Sequence, residues 1–383
     1  MKGFRMVYTG TSYFGADARE NILTEVMNRN FRKALLVTDP GIEACGISGK
    51  VREVLDAGKV PYATFSGIKP NPTIENVRDG LEAWEKSQAD FLIAVGGGSV
   101  IDTAEAVSIL ANNPENRDVV SLEGMDKNRR PGAPVIAVPT TAGTGSETTM
   151  DFVITNTAQK RKMACMSSTG IPVVAILDTE LMAGMPPRMT AATGMDALTH
   201  AVESYLAKGA NTFSELLSLK AVGLIADALP KVLKNPKDLK AREDMALAEY
   251  MAGMSFTNVG LGIVHSMAHP LSAFYDIPHG VANALILPFG LAFNAGACTR
   301  KMKELKKALC PEAAEDERTV ECCCEKIRKL NQTAGLPMRL RELNVKREDL
   351  DDLSRSAFED VSTLDNPREV TQEDLRKLYE SML

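Results

Sequence analysis

Short apolar runs rich in β-branched residues alternate with amphipathic stretches through the first half of the chain. Residues 33–38 (KALLVT), 91–95 (FLIAV), 134–138 (PVIAV) and 173–177 (VVAIL) have the length and composition of buried strands. Between the first two, residues 74–88 (IENVRDGLEAWEKSQ) place apolar positions at helical spacing, so strand, helix and strand follow in the order that predicts a parallel sheet. The pattern changes near Pro186 and Pro187. Beyond them the chain reads as successive helices, TGMDALTHAVESYLA, SELLSLKAVGLIADAL and AREDMALAEYMAGMSF among them. The expected organisation is a Rossmann-like α/β domain over residues 1–184 and an all-helical domain over 185–383.

Composition narrows what such a chain does. Its 383 residues exceed one ordinary domain, and 44% apolar with 25% charged residues suits a folded enzyme. The net charge of −6, with both signs interspersed, argues against a nucleic-acid partner. No apolar run is expected to approach the roughly 20 residues of a membrane span, and the amino terminus lacks the apolar core of a signal peptide, so a cytoplasmic protein is expected. Seven cysteines form neither a CxxC pair nor an even framework. Cys322, Cys323 and Cys324 are adjacent, and on a helix they would point about 100° apart, so they are read as packing residues.

The four histidines are concentrated. His200, His265, His269 and His279 all fall within 80 residues. Asp196 and His200 stand at i and i+4 on an expected helix, and so do His265 and His269, so each pair presents two donors from one face. Three imidazoles and a carboxylate suit a borderline ion such as Fe²⁺ or Zn²⁺ better than Mg²⁺ or Ca²⁺. The window offers five candidate ligands, more than a site with an open position needs. Pro270 is expected to disturb the helix after His269, whereas His279 precedes Gly280 at a turn. That favours Asp196, His200, His265 and His279 for metal and His269 for proton handling, although spacing alone leaves the choice open.

Two glycine-rich loops follow expected strands. Gly96, Gly97, Gly98 and Ser99 lead into a helix, where backbone N–H groups and the helix amino terminus favour a pyrophosphate. The segment 139–147 (PTTAGTGSE) adds the hydroxyls of Thr140, Thr141, Thr144 and Ser146. Asp39 ends an expected strand, where its carboxylate would accept from a ribose diol and favour NAD over NADP; next to Pro40 and Gly41 it can equally initiate a turn.

With NPT at 71–73, GGGS at 96–99, PTTAGTGSE at 139–147, MPP at 185–187, ATGMDALTHAVE at 192–203, NVGLGIVHSMAHPLSAFYDIPHGVANALILP at 258–288 and NPREVTQEDL at 366–375, the chain resembles the iron-containing (group III) alcohol dehydrogenases. Within that family it is most similar to the branch acting on lactaldehyde and propane-1,2-diol. The resemblance implies the dehydroquinate synthase-like two-domain fold, NAD(H), and Fe²⁺, sometimes Zn²⁺, on Asp196, His200, His265 and His279. It places His269 beside the reacting oxygen, and Asp39, Asn71, Gly97, Gly98, Ser99, Thr140, Thr141, Thr144 and Lys162 at the cofactor. Asp151 and Phe256 would lie near the substrate, and a homodimer is implied. Two departures stand out: Glu105 replaces a frequent lysine, and Asp151 an expected asparagine.

The implied activity is interconversion of short-chain primary alcohols or diols with aldehydes. The alternative is a dehydroquinate synthase-like lyase, which also combines NAD and metal but needs a basic pocket for a phosphorylated sugar acid; the window VGLGIVHSMAHPLSAFY is mostly apolar. A metal hydrolase lacks its HExxH arrangement. A non-catalytic binding module would leave both glycine loops and the ligand cluster without a purpose.

Overall fold

The computed structural model describes residues 3–116, 118–159, 161–314 and 318–383. They form two compact units, one within residues 7–141 and 145–184, the other within residues 3–6, 142–144 and 185–383.

The first unit is built on strands β1 (Thr11–Gly15), β2 (Ala34–Val37), β3 (Tyr62–Phe65), β4 (Phe91–Gly96), β6 (Val135–Pro139) and β9 (Val174–Asp178). They make a parallel sheet in the order β1-β9-β6-β4-β2-β3 among the described residues. Every residue of β2, β4, β6 and β9 is buried, because helices cover both faces. Alternation distributes the side chains. Leu35, Val37, Leu92 and Ala94 join Val77, Ile101 and Val107 of the helices Ile74–Ser87 and Gly98–Asn112 on one face. Ala34, Leu36, Phe91 and Ile93 meet Ile22, Val26, Val51 and Leu55 on the other. Glycine is required at position 96, where a Cβ would stand 2.4 Å from the Val100 side chain as the chain turns into the Gly98–Asn112 helix.

A second sheet, β5 (Gly124–Met125), β8 (Arg161–Met166) and β7 (Asp151–Asn156), was not expected. Its β7–β8 hairpin pairs Thr155 with Lys162 and buries Phe152, Ile154 and Met163 against the Gly98–Asn112 helix.

The second unit is helical. Pro187–Leu206, Thr212–Lys234, Leu239–Val259, Ile263–Tyr275 and His279–Asn294 are its longer early members. Asn211 and Thr371 start their helices with reciprocal capping boxes, and Asp238 accepts from Ala241 N, so polar residues just before apolar runs set the boundaries. Two expectations need correction. Pro270 does not end its helix, which runs on to Tyr275. One segment, His279–Ala297, is long and apolar enough to cross a membrane by composition, but 72% of that window is buried inside the protein, as a core helix requires. None of the seven cysteines is in a disulfide, and Cys322, Cys323 and Cys324 are buried on the Thr319–Thr333 helix.

Candidate metal centre

Three helices deliver the candidate ligands. Asp196 and His200 lie one turn apart on Pro187–Leu206, His265 is the third residue of Ile263–Tyr275, and His279 opens His279–Asn294 directly after Pro278. The last of these helices approaches the first closely: a Cβ at Gly280 would stand 2.2 Å from the Ala192 carbonyl oxygen, so only glycine permits His279 its position.

Asp196, His265 and His279 bring one ligand atom each to within 4.8 Å of one another. The Nε2 atoms of His265 and His279 stand 4.0 and 3.8 Å from Asp196 Oδ1. His200 lies outside this trio, its ring stacked on His265 at 4.6 Å and on Phe256 at 4.3 Å. Its Nδ1–H donates to the Gly143 carbonyl at 3.1 Å, leaving Nε2 for another partner. Burial drives the pKa of His200 down, against the pull of Asp196 and the Gly143 carbonyl, and that of His265 well down, with its neighbouring imidazoles adding to the effect. Both rings are therefore neutral, the form that ligates.

The side chains around the trio fit a cation. Asn283, fully buried one turn after His279, directs its amide nitrogen at Asp196 Oδ1 (2.7 Å), His265 Nε2 (3.1 Å) and His279 Nε2 (3.1 Å). One carboxylate oxygen and two imidazole nitrogens thus converge on a single buried amide nitrogen. Neutral imidazole nitrogens with one carboxylate suit Fe²⁺ or Zn²⁺.

Outside the trio, His269 is one-third exposed. Its ring stacks on His279 at 5.3 Å, and its Nδ1–H donates to Asp360 Oδ2 at 2.7 Å. Burial pushes the Asp360 carboxyl up, yet the His269 ring and the Ser362 N–H leave it below its ordinary value. Glu203 stands behind His265, its Oε2 2.6 Å from Nδ1. Burial outweighs the backbone N–H groups of Val264, His265 and Gly262 and leaves the Glu203 carboxyl raised to about 8. Glu203, Asn283 and Asp360 were missed in the sequence. The first two carried a signal, because Glu203 falls at i+7 from Asp196 and Asn283 at i+4 from His279, on the ligand-bearing faces.

The remaining candidates lie as follows. Gly97 precedes the Gly98–Asn112 helix, and Gly97, Gly98 and Ser99 are all part-exposed at its amino end. Thr140 is buried just after β6, Thr141 and Thr144 are part-exposed, and Asn71 is exposed with a left-handed φ of 54°. Asp39 caps the helix Pro40–Ala44, its Oδ1 accepting from Gly41 N (2.7 Å) and Ile42 N (2.9 Å), the turn-initiating arrangement. Lys162 lies on β8, close enough to Asp102 to lower that carboxyl, and Asp151 opens β7.

The iron-containing alcohol dehydrogenase model matches residues 9–179, and the carboxy-terminal model of the Fe-containing alcohol dehydrogenase family matches residues 190–383. This chain belongs to the iron-containing alcohol dehydrogenase family, and is an oxidoreductase of that class. Among its relatives, lactaldehyde reductase of Escherichia coli K12 is 45% identical over 377 residues, 98% of each chain. The NAD-dependent methanol dehydrogenase of Bacillus methanolicus is 37% identical, covering 97% of this chain and 98% of that one. A crystal structure of 1,3-propanediol oxidoreductase superposes with a TM-score of 0.96 at 37% identity, covering all of both chains.

Proposed function

We propose that this enzyme interconverts short-chain primary alcohols or diols and their aldehydes with NAD(H), and that lactaldehyde and propane-1,2-diol are its preferred pair. The observation that carries the reading is the meeting of Asp196, His265 and His279 within 4.8 Å, around the buried amide of Asn283. His200 completes the proposed set of four ligands, for Fe²⁺ or Zn²⁺. A relative named for lactaldehyde supports the substrate, and one named as NAD-dependent supports the cofactor.

When bound, the cation supplies Lewis acidity toward the alcohol or aldehyde oxygen, and the nicotinamide supplies the hydride acceptor or donor. The chain's own groups do the rest. Glu203 and Gly143 hold the rings of His265 and His200 by their Nδ1–H groups. His269 has its Nδ1–H committed to Asp360, so Nε2 is the atom that takes a proton from the alcohol or returns it. The backbone N–H groups of Gly97, Gly98 and Ser99 receive the pyrophosphate, with Thr140, Thr141 and Thr144 beside them. Asp39, Asn71 and Lys162 are assigned to the ribose portions, and Asp151 and Phe256 to the substrate. The amino-terminal 1–184 and carboxy-terminal 185–383 portions would thus act as dinucleotide-binding and metal-binding domains of a homodimer. The lyase alternative is not favoured, since the relatives are alcohol and aldehyde oxidoreductases.

A panel of lactaldehyde, propanal, 3-hydroxypropanal, acetaldehyde and formaldehyde, assayed with NADH or NADPH after anaerobic Fe²⁺ or Zn²⁺ loading, tests the reading. Lactaldehyde with NADH should give the highest kcat/KM. Absence of NADH oxidation with every aldehyde, or full turnover after exhaustive chelation, would refute it.

A further inference from the structure

We propose that Glu203 is the positioning residue that makes His265 a metal ligand, by holding its ring in the tautomer that keeps Nε2 free of hydrogen. This rests on the ligand set proposed above and explains how one of its members is prepared. Glu203 lies on the helix that carries Asp196 and His200, at i+7 and i+3 from them, and its side chain meets the amino end of the helix that carries His265. It is 4% exposed. Oε1 accepts from Val264 N at 2.7 Å, and Oε2 from His265 N at 3.2 Å and His265 Nδ1 at 2.6 Å. The Gly262 N–H is a further donor. The three backbone partners can only present hydrogen, so the carboxyl oxygens accept from each, and Nδ1 meets the same acceptor Oε2.

The other side of the ring gives an independent reading. Asn283 Nδ2 lies 3.1 Å from His265 Nε2, so an amide donor faces that nitrogen as it faces Asp196 Oδ1 and His279 Nε2. The amide orientation is fixed by the same contacts, because a flip would set its oxygen 2.7 Å from Asp196 Oδ1, acceptor against acceptor. A ring with Nδ1–H and a lone pair on Nε2 suits both neighbours. A metal-ligating imidazole whose other nitrogen donates to a carboxylate is oriented and made more basic by it.

Glu203→Gln keeps the shape and replaces one acceptor by an NH₂. Of the partners, only the imidazole can turn from donor to acceptor, by moving its hydrogen to Nε2; the backbone N–H groups cannot. The variant should therefore move the hydrogen onto the atom meant for the cation.

The test uses full-length protein with ¹⁵N-labelled histidine, Zn²⁺ as the probe, and a competing chelator to measure its dissociation constant. Wild type, without Zn²⁺, should show His265 as the Nδ1–H tautomer. E203Q should show Nε2–H at His265, leave His200 unchanged, and bind Zn²⁺ about 10- to 100-fold more weakly. A folded E203Q that retains Nδ1–H and binds Zn²⁺ within a factor of two of wild type would overturn the proposal. Should E203Q not fold, N283L decides: with the amide donor gone, Glu203 alone should still hold Nδ1–H, and a reversed tautomer would equally overturn it. H265A separates the two readings, since undiminished Zn²⁺ binding there defeats the ligand set without touching the tautomer result.

Discussion

His265 and His269 stand one helical turn apart, yet the first is 1% exposed between Glu203 and Asn283 while the second is one-third exposed against Asp360. Their substitutions should part accordingly. His265→Ala removes a converging nitrogen and leaves Asp196 and Glu203 buried without that partner, so metal content and turnover should both be lost. His269→Ala should retain the metal and lower kcat by roughly 10²- to 10⁴-fold, the range for a positioned proton donor or acceptor. Metal analysis by mass spectrometry alongside steady-state rates checks both, and loss of metal from the His269 variant with retention in His279→Ala would reverse the assignment. Spacing already brought Asp196 and His200 to one face, whereas the turn expected at His279 and Gly280 is the first turn of a helix. Nothing local could announce Asp360, 91 residues from its partner, or the Gly143 carbonyl, which is backbone.

The helix Gly98–Asn112 buries a full turn of acid. Asp102 Oδ2 accepts from Val153 N at 3.0 Å, but Glu105, fully buried three residues on, has no hydrogen-bond partner for either oxygen. Burial pushes Asp102 to about 7 and Glu105 well above its ordinary 4.5, and the charges of Asp102, Asp151 and Glu147 raise Glu105 further. Lys162 is a cation acting on Asp102 from the hairpin. The folded protein therefore holds protons that the unfolded chain releases, and stability should be full below about pH 4 on this account and fall as pH rises through 7 and beyond. Glu105→Met, of similar shape, should be more stable than wild type by about 1–3 kcal/mol at pH 8, a gap that closes toward pH 4.5. Urea unfolding across that range measures it, and a gap independent of pH would exclude the ionised carboxyl as its source. The hairpin packed here was legible in principle, since 151–156 alternate part-exposed and buried positions. Its polar members hid the period, as the short edge strands β1 and β3 hid theirs, whereas the fully buried β2, β4, β6 and β9 declared themselves as unbroken apolar runs.

Across the whole molecule the apolar pattern changes period near Pro186, and the compact units follow that change except at residues 3–6 and 142–144, which belong with the helices. A loop of three residues assigned by its packing leaves no mark in hydrophobic periodicity, so that detail needed coordinates. The proposed ligands draw on helices of one unit only, Pro187–Leu206, Ile263–Tyr275 and His279–Asn294. Binding that favours the native state at a hundredfold excess over the dissociation constant stabilises by about 2.7 kcal/mol. Chelation should remove that contribution, lowering the melting temperature by roughly 5–10 °C. Amide exchange should accelerate first in those three helices, where opening separates the donors, and should stay slow in β2, β4, β6 and β9, whose hydrogen bonds do not depend on the cation. Mass-spectrometric exchange on loaded and chelated protein reads this directly. Equal acceleration in sheet strands and ligand helices, or none in either, would show that the cation does not tie these helices together.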